Sequence, residues 1–493
     1  MNNLSLRVVG IFFFLFYALT LPFFSPVFFQ DYQLTTFLIM VCCLVLSLLF
    51  FSGVAPLINI LISFYVFKIY LIRPYVDTFL GRLTTGQIEY INFNNNYFNY
   101  EDSIVVYSNL LFLLLAWFLG LLLIKPKKYS SNFYPYVFKK FDSIISTLDW
   151  RVWSLIILMF LLNLQDPRAM WQGAIEGGGE ALFAYGLVQT EVIFFCLLAL
   201  FVMRKHKKEE ATFVLILPIF FSSLIGIATG GRSALFAVFI FLILYYIYLN
   251  FNKSLDRRDL KNIILITSIA PLVVIGGLAA QIIRPLIRSN LEIDADLFLG
   301  LLSENLNIFD PNNPLVNTAY FGITELLHRL SALQEKFLIL GNHYINDPSF
   351  TFNFIFTFQR VLNDLMPGSL FPNLLNINQV FHHVYFDEQI NYASHMFGIQ
   401  GTLYLYFGNY LPILLIFFAG VFYRFQEHRI DSFLRISPSF FVFLYFLMNG
   451  ILENGTLERV IPVDVVRPLT SFIFIILAVR ILNVLFPKKK VVT

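Results

Sequence analysis

The chain has 493 residues, of which 58% are hydrophobic and only 13% charged, against roughly 25% charged in ordinary soluble domains. That balance excludes a soluble globular fold, and a formal net charge of +3 with no basic, aromatic-interleaved patch excludes a nucleic-acid partner. Cys42, Cys43 and Cys196 all lie in apolar runs without disulfide or metal-ligand spacing, so they read as small buried hydrophobes.

A helix crossing about 30 Å of hydrocarbon needs roughly 20 mainly apolar residues. Runs of that kind recur near 8–29, 34–52, 54–72, 104–124, 152–166, 185–203, 211–229, 233–251, 262–281, 402–422, 436–452 and 469–486. The first run has no small-residue cleavage site and reads as a retained span. The expected fold is therefore all-α and polytopic, with about twelve transmembrane helices in a range of roughly ten to thirteen. Residues 1–281 hold the first nine spans, 282–401 form a large external loop, and 402–493 hold the last three.

Lys and Arg close to span ends mark the cytoplasmic side. The strongest clusters are Lys125, Lys127 and Lys128; Arg204, Lys205, Lys207 and Lys208; Lys253, Arg257, Arg258 and Lys261; Arg424, Arg429 and Arg435; and Lys488, Lys489 and Lys490. Twelve spans put every one of them on the same side, with both termini cytoplasmic in a plasma membrane. The segment after Arg73, the glycines Gly177, Gly178 and Gly179, the turn at Gly230, Gly231 and Arg232, and the 282–401 stretch then face outward. Within that stretch Ile323, Leu326, Leu327, Leu330, Leu333, Phe337 and Leu340 recur at helical spacing, which predicts an amphipathic helix. Phe350, Phe352, Phe354, Phe356 and Phe358 alternate at period two, as in a strand or in an aromatic segment at the membrane interface.

The two basic residue types partition differently. Of 15 lysines only Lys68 and Lys336 fall at or beyond the outer surface, whereas ten of 19 arginines do: Arg73, Arg82, Arg168, Arg232, Arg284, Arg288, Arg329, Arg360, Arg459 and Arg467. Arg presents a planar fork of donors that fits phosphate or carboxylate oxygens in pairs, and Lys does not. An outer surface that prefers Arg suggests an anionic ligand; pairing with the loop's own Asp and Glu is the competing explanation. Arg232 follows two glycines, where backbone and ligand can approach closely. Arg284 and Arg288 are four apart just beyond the ninth span and share a face if the helix persists. Snorkelling to lipid headgroups is the alternative for all three. His328, His343, His382, His383 and His395 also lie in the external loop, and a histidine can take a proton from a sugar hydroxyl. His395, His383 and His382, nearest the tenth span, are the candidate bases. Glu191 lies inside the sixth span, where an acid pairs structurally or works chemically. No spacing predicts a metal site.

The run IATGGRSALFAVFIFLILYY, an Arg-bearing exit one span later, a large external loop, and then GIQGTLYLYFGNYLPILLIFFAG together resemble the Wzy-type O-antigen and capsular oligosaccharide repeat-unit polymerases, over about Phe213 to Arg424. The resemblance implies a C-type, metal-independent glycosyltransferase without cofactor. Such an enzyme moves a growing glycan from undecaprenyl diphosphate onto another lipid-linked repeat unit at the outer face of the bacterial inner membrane, with a chain-length regulator as a further expected partner. Arg232, Arg284 and Arg288 would hold the diphosphate, and Gly230, Gly231, Arg360 and Tyr404 would line the substrate site. O-antigen ligases share that architecture, and a flippase or other carrier of lipid-linked oligosaccharide fits the span count too.

Overall fold

The computed structural model describes residues 5–24, 33–71, 83–84, 87–89, 97–126, 135–147, 149–155, 190–207, 233–251, 253, 353–365, 370–371, 374, 380 and 398–486. The runs near 211–229 and 262–281, most of that at 152–166, and the predicted helix from Ile323 to Leu340 lie outside them, as do Lys336, Arg329 and Glu191's side chain.

The described chain is mostly helical, and four of its helices are long and apolar enough to cross a membrane: Leu6–Phe23, Gln33–Ser52, Asp102–Leu123 and Leu457–Leu485. Shorter apolar helices run over Pro56–Leu71, Val238–Asn250 and Pro438–Glu453. We number the helices α1 (Leu6–Phe24), α2 (Gln33–Ser52), α3 (Pro56–Val66), α4 (Tyr100–Leu123), α5 (Tyr136–Thr147), α6 (Thr190–His206), α7 (Ser233–Asn250), α8 (Phe354–Leu365), α9 (Gly398–Phe407), α10 (Leu411–Ile436), α11 (Pro438–Asn449) and α12 (Arg467–Leu485). Three short strands, β1 (Leu83–Thr84), β2 (Gln87–Glu89) and β3 (Tyr97–Asn99), pair antiparallel in that order just before α4, a small addition to the all-α expectation.

Helix polarity and contacts define two ends of the bundle. At one end, Arg7 donates from Nε to the Phe50 carbonyl at 2.8 Å and also bonds the Phe51 carbonyl, closing α1 onto the last turn of α2. The Arg7 backbone N–H reaches Phe251 just past α7. Arg424, on α10, reaches the Ile124 carbonyl past α4 and pairs with the buried Glu427, whose Oε1 accepts from the Ala55 N–H at 2.8 Å. Helix α5 buries Phe138, Phe141, Ile144 and Ile145 against this end, and its Asp142 accepts from the Ser437 hydroxyl and the Ser439 N–H, satisfying the open start of α11. Arg151 bonds Asn483 and the Phe486 carbonyl at the close of α12, and Arg204 donates to Ser146 at 2.8 Å. The first turn of α1 and the last of α12 thus sit on the same side. Every lysine within the described residues except Lys68 belongs to this basic end or its flanks.

Between the ends, helices approach closely at small residues. Gly120 of α4 and Gly420 of α10 face one another, and a Cβ on Gly420 would meet the Trp117 carbonyl at 2.9 Å and the Gly120 Cα at 3.3 Å. Backbones that close gain van der Waals contact where lipid supplies no hydrophobic drive for helix association. Trp117 donates its indole N–H to Asn59 on α3 at 2.9 Å, and Asn59 donates to the Val54 carbonyl at 2.7 Å, so both polar groups are satisfied inside the bundle. The core is strongly aromatic: Phe195, Phe241, Tyr245, Phe441 and Tyr445 meet in edge-on and tilted contacts across α6, α7 and α11.

Two expectations need correction. The apolar run 402–422 is two helices, because the chain turns at Gly408 (φ +71°), Asn409 and Tyr410 between α9 and α10. A positive φ suits glycine, and Pro412 then restarts the helix as an early residue. The alternating phenylalanines are not a strand where they are described. Phe354, Phe356 and Phe358 lie on α8, started by Asn353, whose side chain accepts from the Ile355 N–H at 2.9 Å.

Candidate functional site

The end opposite the basic one has interrupted helices. Among the described residues three π-helical turns occur here: Phe67–Leu71 after α3, Gly450–Asn454 after α11, and Val460–Val466 before α12. The sequence favours such breaks, since Gly450 and Gly455 weaken the α ladder and Pro462 cannot donate to it. Widened turns of this kind occur preferentially at functional sites. The turn at Gly455 (φ +70°) presses on the start of α9: a Cβ there would collide with the Gly398 carbonyl and meet Thr402 Oγ1 at 2.7 Å.

These breaks gather charge. Glu458 is only 3% exposed, and both its oxygens accept from the Tyr406 hydroxyl, at 2.9 and 2.8 Å. Arg360 of α8 reaches the same carboxylate at 3.2 Å from Nη1 to Oε1. Lys68 pairs with Glu453 across the two π turns that carry them. Asp464 is buried beside Gly450, whose missing side chain leaves room for its carboxylate. Its Oδ2 meets no hydrogen-bond donor among the described residues, although Arg459, Glu453 and Arg467 are near enough for their charges to act on it. Four cations, Lys68, Arg360, Arg459 and Arg467, thus share this end with three carboxylates. A buried acid inside a candidate span is costly and is a functional-site candidate for that reason.

A second group of polar side chains adjoins. Tyr70 donates its hydroxyl to Gln400, Gln400 donates to the Val106 carbonyl at 2.9 Å, and Tyr107 donates to the Tyr70 carbonyl at 2.7 Å. Tyr404 is fully buried, and neither its hydroxyl nor that of Thr402 meets a partner among the described residues. Such groups are acceptors and donors left for a ligand or for water.

Of the candidate site residues, Arg360 and Tyr404 fall within the described part, both at the interrupted end, together with Lys68, Arg459 and Arg467 from the set expected at the outer surface. Arg360 is engaged by Glu458, an acid beyond the 282–401 loop whose own Asp and Glu were the expected competitors for a ligand role. Arg232, Arg284, Arg288, Gly230, Gly231, His382, His383 and His395 lie outside the described residues. The sequence reading passed over Glu453, Tyr406, Glu458 and Asp464. The signal was there in ENGTLERVIPVDVVR, where three acids punctuate an otherwise apolar stretch. Among the described residues no three His, Cys, Asp or Glu come together to hold a metal ion.

No family model matches the chain, nor does any curated protein or solved structure.

Proposed function

We propose that the chain is an inner-membrane glycosyltransferase that polymerises lipid-diphosphate-linked oligosaccharide repeat units at the interrupted end of its bundle. The observation that carries this reading is the cluster at the interrupted end, where Arg360, Arg459 and Arg467 meet the buried Glu458 and Asp464 beside the Thr402 and Tyr404 hydroxyls, which have no partner among the described residues, while every described lysine but Lys68 lies at the other end or its flanks. The basic end is cytoplasmic on this reading, both termini with it, and the remaining predicted runs complete about twelve spans.

In the reaction, an acceptor sugar hydroxyl attacks the anomeric carbon of the donor glycan. The bond from that carbon to the lipid diphosphate breaks, the diphosphate departs with the electron pair, and a base takes the hydroxyl proton. Arg232, Arg284 and Arg288 stabilise the leaving diphosphate. His395, His383 and His382 are bases by sequence position, and Asp464 joins them as a carboxylate oxygen with no donor of its own among the described residues. Tyr404 and Thr402 offer hydroxyls to a sugar.

The test is incubation of purified protein with undecaprenyl-diphosphate-linked repeat units, resolved as a ladder of chain lengths. Arg→Ala at 232, 284 or 288 should slow extension about a hundredfold, since one oxyanion-type contact is worth about 3 kcal/mol in the transition state. Lys at the same positions should rescue little. Absence of any ladder from the intact protein overturns the proposal.

A further inference from the structure

Helix α8 has an apolar face that no described element covers. Phe354, Ile355, Phe356 and Phe358 are 72%, 64%, 48% and 53% exposed, and the Phe354 and Phe358 rings lie stacked with centroids 6.4 Å apart. On the other side of the same helix, Thr357 and Val361 are buried and Arg360 is tied to Glu458. That tie fixes the depth of α8. Glu458 stands in the first turn of Leu457–Leu485, a segment long and apolar enough to span a membrane. Further along, that segment shows outward-facing Ile473, Phe474, Leu477 and Ile481 with exposures comparable to those of α8.

We infer that α8 is seated in the bilayer leaflet at the interrupted end of the bundle, with its aromatic face against lipid acyl chains. The occupant follows from position. A face level with the first turns of a spanning segment, where Ile461 is also outward-facing, meets lipid. A helix tied there through Arg360, with large rings on the other side, has the make-up of an interfacial element. The part of the 282–401 segment that carries α8 is therefore embedded at the membrane rim and is not an aqueous lid. This inference stands independently of the proposed chemistry.

The experiment uses the full chain in vesicles of phosphatidylethanolamine and phosphatidylglycerol, with a fluorophore on single cysteines introduced as Phe354→Cys, Ile355→Cys or Phe358→Cys. Cys42, Cys43 and Cys196 are buried and are replaced by Ala beforehand. Phe474→Cys serves as the lipid-facing reference and Ser432→Cys, exposed at the basic end, as the aqueous one. Acyl-chain-brominated lipids should quench the α8 labels to within about twofold of the Phe474 label, while iodide quenches them far less than the Ser432 label. Strong iodide quenching without lipid quenching would put the face in water and overturn the inference. Protection from both quenchers would mean that protein, from this chain or a second copy, covers it, which overturns the inference equally. Should the Phe358 variant misfold, the Ile355 label reads the same face.

Discussion

The buried pair between Arg360 and Glu458 gives the sharpest energetic test, because removing one charge strands the other. Glu458 is the more enclosed partner, its side chain 4% exposed against 14% for Arg360. Arg360→Met keeps the apolar stem and leaves a carboxylate that, among the described residues, Tyr406 alone holds. Breaking a buried pair in this way costs about 3–5 kcal/mol. The bifurcated bond from the Tyr406 hydroxyl persists, which puts the expected loss near the lower bound, about 3 kcal/mol. Adding Glu458→Gln should then restore stability by roughly 1–3 kcal/mol, because the amide needs no counter-charge and still accepts from Tyr406. Unfolding free energies in mixed micelles titrated with SDS would measure all three variants. A double variant no more stable than Arg360→Met, or single effects that add to within about 0.5 kcal/mol, would refute charge compensation as the function of the pair.

Gly420→Ala should destabilise the bundle by about 1–3 kcal/mol in the same assay, since its Cβ would fall about half an ångström short of ordinary contact with the Trp117 carbonyl on a rigid helix; unchanged stability would mean the two helices separate freely. Asp431, past the apolar part of α10, has its carboxyl raised from 3.8 to about 7, first by burial and then by Glu427, against the opposing pull of Arg435 and Arg424. A carboxyl raised in the folded state favours folding when protonated, so stability should be greatest below about pH 4 and decline as pH rises towards 7. Asp431→Asn should flatten that slope, and an identical pH profile for the variant would show that the group is not responsible. Periplasmic activity of a reporter fused at Asn252 or Val491 would invert the proposed orientation, whereas cytoplasmic activity at both sites is expected.

Among the described residues hydropathy located several helices closely because burial in lipid demands long apolar runs: 34–52 became Gln33–Ser52 and 233–251 became Ser233–Asn250. It failed where the run continues but the backbone does not. Gly408 sits within an apolar stretch and does not lower its average enough to mark the turn that φ +71° makes. Helix α5 escaped for the opposite reason, since Lys139, Lys140 and Asp142 dilute a stripe that only helical periodicity reveals. The phenylalanine alternation kept a strand open because Thr351, Asn353 and Thr357 set a polar face against the rings, and it is the cap that Asn353 makes on the next turn that starts a helix there. At the site, three of the arginines expected to face outward, Arg360, Arg459 and Arg467, do share one end of the described bundle. The partners of Arg360 were not legible, for Glu458 lies 98 positions further on and only the fold brings them together.

The π turn at Val460–Val466 also sets the rotational phase of the last helix. One surplus residue offsets everything after it by roughly 100° about the axis relative to an uninterrupted α-helix. Phe472, Ile475, Ile476 and Val479 point into the protein and Ile473, Phe474 and Leu477 away from it only with that offset in place. Losing a single residue between 460 and 466 would leave a longer, more regular helix, yet it would turn the packing seam of α12 sideways against Phe138 and Phe141. The irregular turn thus acts as a phase shifter, letting the acids before it and the apolar seam after it each meet their own neighbours.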